Sequence, residues 1–362
     1  MIKKYPVLFF TAASLVFLSF QASTVIASPD IAGGFWANYQ NIKDDETEED
    51  TYGTINSEAI ILYVDSESKD KQWTFSSEIR FGPGGFTDPS NNSTGDNVVI
   101  HKAWIRYNLS ETDKVFIGKS AAPFGWKTAN FWPGDMFQAG YGDQMDVGIK
   151  WTRDAQVDLA VAYFHADDWG GTSTDSTDDN RHWGSKDTFR KVQTLVGDIR
   201  YPLTESQTLG FSFQVGKLQD LSEFADEGDA VTGDHQAWVV FYIGQFGNVT
   251  TKAEYIGLER DLPDDYAQAV SLDETIENTR AAFEVGYAQD QWFFYLDVTL
   301  ANADTTGNDA NTIKAFAPGF SYNYGPGWIY LEYLDQDGYI DRNGMVNEGD
   351  FTALYASIDY YF

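Results

Sequence analysis

Alternation of apolar with small or charged residues recurs in short segments of this chain and constrains its fold more than any other feature. In residues 72–82 the apolar positions share one face of an extended strand, and they are Trp73, Phe75, Ile79 and Phe81. Residues 209–216 repeat the pattern, with glycine, serine and glutamine on the second face. A period of two residues is typical of a β-strand with two different surfaces. The sequence therefore predicts an all-β protein.

Composition excludes several classes of protein. The 362 residues include no cysteine, which excludes disulfide scaffolds, zinc–thiolate sites and thiol chemistry. The net charge of −31, from 55 acidic and 24 basic residues, argues against a nucleic-acid partner, because phosphate binding requires clustered lysines and arginines. Aromatic residues make up 16% of the chain, which is too many for a disordered polypeptide. We predict neither a cofactor nor a metal site.

The first 27 residues have the three parts of a secretory signal peptide. Lys3 and Lys4 provide the positive start, residues 7–20 are apolar, and residues 25–27 form a small-residue cleavage site. An uncleaved membrane anchor is the alternative, but the apolar run is shorter than the roughly 18 residues that a spanning helix needs. We therefore expect a mature chain of residues 28–362.

Sixteen segments with strand character follow one another in the mature chain. They begin near residues 33, 53, 72, 98, 114, 146, 157, 191, 209, 235, 248, 279, 291, 313, 327 and 351. The connections alternate between long and short, and the long ones hold most of the acidic residues. An even strand count with short turns at one end and long loops at the other is typical of a bacterial outer-membrane barrel. A soluble β-sandwich, the alternative, has no reason to keep this parity.

We therefore predict an antiparallel up-and-down transmembrane β-barrel, whose apolar face meets lipid and whose polar face lines a water-filled lumen. Backbone groups in hydrocarbon must all be paired, so the last strand of such a barrel must pair with the first. The chain ends on FTALYASIDYYF, with apolar residues at alternate positions up to the terminal carboxylate. We predict that this segment is the closing strand.

The terminal segment resembles the last strand of Gram-negative outer-membrane porins, which ends in phenylalanine preceded by apolar residues at alternate positions. The resemblance implies that Ile358, Tyr360 and Phe362 are recognised by the outer-membrane assembly machinery. It also implies a homotrimer in the outer membrane of a Gram-negative bacterium, in contact with lipid and lipopolysaccharide. Gly118 and residues 123–125 resemble a strand-end motif of the phosphate-selective porin O and P group, whose pathway uses many lumenal lysines and arginines, of which this chain has few.

The third long loop, about residues 121–145, is predicted to fold into the barrel. Resemblance to general porins implies this position, and the loop is rich in glycine and aromatic residues and carries little net charge. An ordinary surface loop is the alternative. If the loop folds inward, Asp135 and Asp143 face the lumenal side of neighbouring strands.

The polar faces of the strands predict the charged lining of a pore constriction. Acids and bases opposed across a narrow passage order water and favour polar solutes. The predicted constriction residues are Asp135, Asp143, Glu78, Arg80, Lys102, Arg106, Lys150, Arg200, Lys252 and Arg280. These features predict passive diffusion of small hydrophilic solutes and ions, with cations preferred at the mouth because the loops are acidic.

Two other functions remain open at the level of sequence. A substrate-specific channel for phosphate, other anions or sugars is one, and for a sugar path the lumenal aromatic candidates are Trp104, Trp238 and Tyr242. A barrel enzyme is the second, but no nucleophile elbow or zinc-binding His-Glu pair is present, so no catalytic residue is predicted.

Two acidic stretches allow two interpretations each. Residues 43–50 are either a divalent-cation site or a solvated acidic loop, and the second interpretation is favoured. Residues 335–344 have carboxylates like a calcium loop but lack EF-hand spacing, so turn formation by Asp-Gly and Asn-Gly is predicted instead.

Overall fold

The structure is a computed structural model, and it describes residues 29–43, 51–55, 58–82, 98–126, 145–166, 177–178, 181–182, 189–222, 231–271, 275–304, 312–340 and 346–362. The predicted signal peptide, residues 1–27, lies outside the described residues, and so does most of the acidic stretch at residues 43–50.

Nearly all of the described chain is β-strand. The strands are β1 (Asp30–Ile42), β2 (Thr54–Ile55), β3 (Ala59–Glu67), β4 (Trp73–Phe81), β5 (Val98–Asn108), β6 (Asp113–Ala121), β7 (Met145–Arg153), β8 (Asp158–Ala166), β9 (Thr177–Asp178), β10 (Arg181–His182), β11 (Phe189–Thr204), β12 (Gln207–Asp220), β13 (Gly233–Phe246), β14 (Val249–Asp261), β15 (Thr275–Gln289), β16 (Trp292–Asp304), β17 (Ile313–Asn323), β18 (Trp328–Ile340) and β19 (Val346–Tyr361). A short helix, α1 (Asp264–Val270), lies between β14 and β15. Within the described ranges, no helix is long and apolar enough to cross a membrane.

The strands form one closed antiparallel barrel. Each wall strand pairs with the next along the chain, and β1 pairs with both β3 and β19. The short β2 pairs with β1 beside the end of β3, and β9 pairs only with β10. Sixteen of the described strands therefore make the wall, which confirms the predicted strand count and the closing role of the last segment.

The connections follow the predicted parity. Short turns at one end cover residues 68–72, 109–112, 154–157, 205–206, 247–248, 290–291 and 324–327. The last connection at the other end differs, because β18 and β19 pair as far as Ile340 and Val346. Asp337 and Gly338 therefore lie within the ladder, where Asp337 faces the two residues 349 and 350 of β19 at a bulge, and the prediction of a turn at this Asp-Gly pair was wrong. The Asn343-Gly344 pair lies outside the described residues.

The two faces of the barrel wall are inverted relative to a soluble protein. On β12, Phe211 is 41% exposed on the outer face, whereas Ser212 and Gln214 are fully buried on the inner face. The same exposure pattern runs through the closing strand, where Ile358 and Tyr360 point outward and Ser357 and Asp359 inward. This arrangement confirms the predicted apolar exterior of a transmembrane barrel.

Asp359 links the closing strand to the turn before β18. Its Oδ1 accepts the backbone N–H of Trp328 at 2.5 Å, and its backbone carbonyl accepts the Tyr324 hydroxyl. Gly327 packs so closely on the Asp359 backbone that a Cβ there would clash. The buried carboxylate therefore fixes the geometry of this turn against the last strand.

Replacing Asp359 by alanine should destabilise the barrel. The change leaves the Trp328 N–H without its buried acceptor, which costs about 1–3 kcal/mol in the free energy of unfolding. Urea titration of the refolded protein in lipid measures the effect. The matched control is Asp30→Ala at an exposed carboxylate on β1, expected to stay within about 0.5 kcal/mol of the parent. Equal stability of the two variants would contradict a structural role for Asp359.

The lumen as candidate functional site

The inner face of the barrel carries every predicted constriction residue that the structure describes. Partners across each ladder share a face, so Glu78 opposite Lys102 and Lys252 opposite Glu284 mark the same inner surface. The residues on this surface are Glu78, Arg80, Lys102, Arg106, Lys150, Arg200, Lys252 and Arg280. Asp135 and Asp143 lie outside the described residues. A role in constriction stays a prediction for the whole set.

Bases outnumber acids on one wall of the lumen, and acids outnumber bases on another. Bases dominate β4 to β7, where Lys102, Arg106 and Lys150 are all partly exposed to the lumen. Acids dominate β14 to β19 and are almost completely buried: Glu254 is 6% exposed, Glu284 1%, Asp297 5%, Glu332 1% and Asp359 1%. Solutes in the lumen therefore meet the basic wall more directly than the acidic one.

The acidic wall is held by contacts among its own side chains. Lys252 Nζ lies 2.8 Å from Glu284 Oε1, and the Tyr295 hydroxyl donates to Glu332 Oε2 at 2.7 Å. Tyr295 reaches Glu332 across Gly319, where a Cβ would clash with its ring. Asp297 lies directly opposite Glu284. Sequence analysis missed Asp297 and Glu332, although their alternation with outward Leu296, Val298, Leu331 and Tyr333 was a usable signal.

The start of the third long loop lies inside the barrel. Residues 122–126 leave β6, and Phe124 and Trp126 are each only 4% exposed. They pack in one apolar cluster on the inner faces of β8, β11 and β13 to β15, formed with Ala162, Phe164, Val196, Ala237, Val239, Phe241, Ile256, Leu258 and Ala282. Lys252 Nζ lies 5.0 Å from the centroid of the Trp126 ring. The remainder of this loop, residues 127–144, lies outside the described residues.

Arg200 and Ser212 bind the backbone of Gly125, and Asp198 binds both of them; we call these three residues the Gly125 clamp. Arg200 Nη2 donates to the Gly125 carbonyl at 3.0 Å, and the Gly125 N–H donates to Ser212 Oγ at 3.1 Å. Asp198 accepts from both other members, from Arg200 Nε at 2.8 Å and from Ser212 Oγ at 2.6 Å. Gly125 has φ +65°, which favours glycine at this position. Arg200 therefore holds the backbone of this segment besides facing the lumen.

Helix α1 covers another part of the inner wall at the loop end of the barrel. Tyr266 and Ala267 of the helix pack with inward-facing Phe189, Leu218 and Ile276, which are not exposed at all. The Phe189 and Tyr266 rings meet edge to face, with centroids 5.3 Å apart. Apolar contacts thus fix the helix over the lumenal side of β11, β12 and β15.

Two of the three aromatic residues proposed for a sugar path point away from the lumen. Trp104 faces inward, but Trp238 is 41% exposed on the outer face, and Tyr242 shares that face. The prediction for Trp238 and Tyr242 was wrong because the inner face of β13 is also apolar. Its Val239 and Phe241 pack against the inward segment at residues 122–126, so alternation of polarity does not mark the lumen there.

His235 and His165 lie on opposite faces of the wall and contact different residues. His235 is buried on the inner face, where its Nε2 lies 3.0 Å from Thr194 Oγ1. His165 lies beside the Tyr163 hydroxyl on the outer face. Among the residues that the structure describes, no group of three or more His, Asp or Glu side chains is arranged to hold a metal ion.

No protein-family model matches this chain, and no curated protein matches it in sequence. Solved structures do match its fold. OmpT, an outer-membrane protein of Vibrio cholerae in a trimer form, superposes with a TM-score of 0.64 at 11% identity, over 93% of this chain and 99% of that one. OmpF of Salmonella typhi, in complex with daunomycin, gives 0.63 at 10% identity, over 93% and 98%. The outer-membrane channel DcaP of Acinetobacter baumannii gives 0.60 at 14% identity, over 94% and 99%.

These three structures share with this chain a full-length closed barrel at very low sequence identity. The chain therefore has the fold of Gram-negative outer-membrane porins.

Proposed function

We propose that this protein is an outer-membrane channel through which small hydrophilic solutes and ions diffuse passively. One observation carries the proposal: a closed barrel exposes aliphatic and aromatic side chains outward and encloses charged ones. Such a wall satisfies its backbone hydrogen bonds in lipid and leaves the polar face for water. The porin fold of its structural neighbours supports the same assignment.

The passage narrows, in this proposal, where the third long loop enters the lumen. The Gly125 clamp and the burial of Phe124 and Trp126 support an inward fold of the whole loop. The predicted constriction residues then face the loop from the wall. Neither a catalytic residue nor a cofactor enters the proposal, and hydrolysis of a lipid or peptide by the purified protein would contradict it.

The acidic long loops favour cations at the mouth of the channel. Their field extends over a Debye length of about 8 Å at physiological salt and about 3 Å at 1 M. In planar bilayers we expect a cation preference at low salt that weakens as the salt concentration rises. A cation preference independent of salt would contradict this origin at the mouth.

Liposome swelling tests the channel itself. Proteoliposomes that contain the refolded mature chain should swell in neutral sugars at rates that fall steadily with solute size, as for a general pore. A rate that saturates with one sugar would instead support a substrate-specific channel. Absence of swelling, with the protein shown to be folded and inserted, would contradict the proposed function.

We further propose a homotrimer in the outer membrane, in contact with lipid and lipopolysaccharide. OmpT of Vibrio cholerae has been solved in a trimer form, and the shared fold supports the same assembly here. Cross-linking in native outer membranes should yield a trimer band that collapses to monomer on boiling. A monomer at every cross-linker concentration would contradict it.

A further inference from the structure

Among the residues that the structure describes, three bases on the wall formed by β5, β6 and β7 have no carboxylate partner. Arg106 donates to the Thr74 hydroxyl at 2.8 Å and Lys150 to the Ala121 carbonyl at 2.8 Å. Within the described part of the chain, no acidic oxygen lies within 4.0 Å of these two groups or of Lys102. Two bases elsewhere on the inner face are in ion pairs, Arg200 with Asp198 and Lys252 with Glu284.

Glu78 is the carboxylate that comes nearest to this group in the ladder, directly opposite Lys102. Its Oε1 is engaged by Arg80 Nε at 2.8 Å. The Glu78–Arg80 pair therefore contributes no net charge, and Glu78 does not pair with any of the three bases.

Two aromatic rings lie among these bases. The Trp104 and Phe116 rings meet edge to face, with centroids 5.1 Å apart. Lys150 Nζ lies 5.1 Å from the centroid of the Phe116 ring. In the ladder Arg106 is opposite Phe116, which is opposite Lys150, so charge and ring surface alternate along one row. On β5, the next inward-facing residue after Arg106 is Trp104, and the one after that is Lys102.

Within the described ranges, the carboxylates on the opposite side of the lumen are buried rather than turned towards this positive surface. They lie against Lys252, Tyr295 and their own strands. Residues 122–126 and helix α1 cover further parts of the wall from β11 to β15. By contrast, the five side chains Lys102, Trp104, Arg106, Phe116 and Lys150 all keep partial exposure to the lumen. We call these five residues the basic shelf.

We propose that the basic shelf is a binding site for small organic monoanions that carry a flat apolar group, such as aromatic carboxylates. The carboxylate accepts hydrogen bonds from the guanidinium of Arg106 and the ammonium of Lys150, and the apolar body lies on Trp104. Charge-assisted hydrogen bonds are stronger than neutral ones, and ring contacts add to them. This proposal rests on the proposed function in one respect, because the ligand must reach the basic shelf through a water-filled lumen.

The first test measures binding of 4-fluorobenzoate to the refolded full barrel in detergent micelles, with ¹⁹F NMR as the readout. The parent protein should broaden the probe signal in a saturable way, and 4-fluorobenzamide, the neutral analogue, should bind at least about fivefold more weakly. Arg106→Met and Lys150→Met should each weaken fluorobenzoate binding several-fold. Trp104→Leu should weaken fluorobenzoate more than acetate. The matched control is Lys314→Met, which removes an exposed lysine from the outer face of β17 and should change nothing.

Conductance gives a second and separate readout. In 1 M KCl, where the acidic mouth is screened to about 3 Å, the basic shelf should make the channel prefer chloride over potassium, and benzoate should reduce the current. Arg106→Met should reverse or abolish that preference, with heat-modifiability on gels as the check on folding. Equal binding of the charged and neutral probes, or binding unchanged by Arg106→Met and Lys150→Met, would overturn the proposal. A folded barrel that binds fluorobenzoate but passes no current would contradict the proposed channel and leave the site standing.

Discussion

Deletion of Phe362 should reduce the amount of folded protein in the outer membrane at least about tenfold, far more than it reduces the stability of protein refolded in vitro. Phe362 and Gly33 exchange two backbone hydrogen bonds of 2.9 Å at the seam where the last strand meets the first. Loss of both costs only about 1–3 kcal/mol, and the ring itself is 75% exposed. A larger loss in cells than in vitro is therefore the signature of recognition by the assembly machinery.

Immunoblots of outer-membrane fractions and urea titrations of refolded protein supply the two measurements. Phe316→Ala is the matched control, because Phe316 is another outward-facing aromatic residue, 44% exposed on β17 and distant from the terminus. It should assemble at the parent level. If deletion of Phe362 lowers the cellular amount and the in vitro stability in parallel, the terminal residue has a structural role alone. In that case, alanine substitutions of Tyr360 and Ile358 should also lower the cellular amount and the in vitro stability in parallel.

Substitution of Arg200 by methionine should widen the pore. The change removes the hydrogen bond to the Gly125 carbonyl and the ion pair with Asp198. A hydrogen bond to a charged group contributes about 1.5–3 kcal/mol. Loss of about 2–3 kcal/mol shifts the equilibrium between held and released loop roughly 30- to 150-fold towards release. We expect higher single-channel conductance, more open-channel noise and swelling of liposomes in larger sugars.

Arg190→Met is the matched control for this variant. Arg190 lies on the same strand but on the outer face, where its Nε donates to Gln219 at 3.0 Å. The substitution therefore removes the same charge as Arg200→Met but leaves the Gly125 clamp intact. Conductance and size limit should then stay at the parent values. If Arg200→Met folds normally and also keeps both, the Gly125 clamp does not control the width of the pore.

Because the chain has no cysteine, a disulfide reports the position of the inward segment without background. A Cβ at Gly125 would lie in van der Waals contact with the Val239 side chain, 3.8 Å from its Cγ1, so cysteines at the two positions would face each other. The double variant Gly125→Cys, Val239→Cys should therefore oxidise in the parent background. Addition of Arg200→Met should slow its oxidation, and an unchanged rate would separate the clamp from the position of the segment.

Local sequence was sufficient for the wall of the barrel. Strand number, connection parity, closure by the last segment and the inner position of residues such as Lys102 and Arg106 all follow from the two-residue period and from the need to pair every backbone group in lipid. Each of these features depends on the pattern of a few neighbouring residues. The same information placed Lys252 and Arg280 on the lumenal face.

Tertiary structure alone decided which parts of the lumen meet water. Trp238 was assigned to the wrong face because the inward-facing residues Val239 and Phe241 are also apolar. They pack against residues 122–126, a segment far away in sequence. The inward packing of helix α1 against Phe189 is equally remote in sequence from the pattern of any single strand. Periodicity marks the two faces of a strand but not the segments that later cover one of them. Burial of the acidic wall and exposure of the basic shelf depend on that cover, so they emerged only from the folded chain.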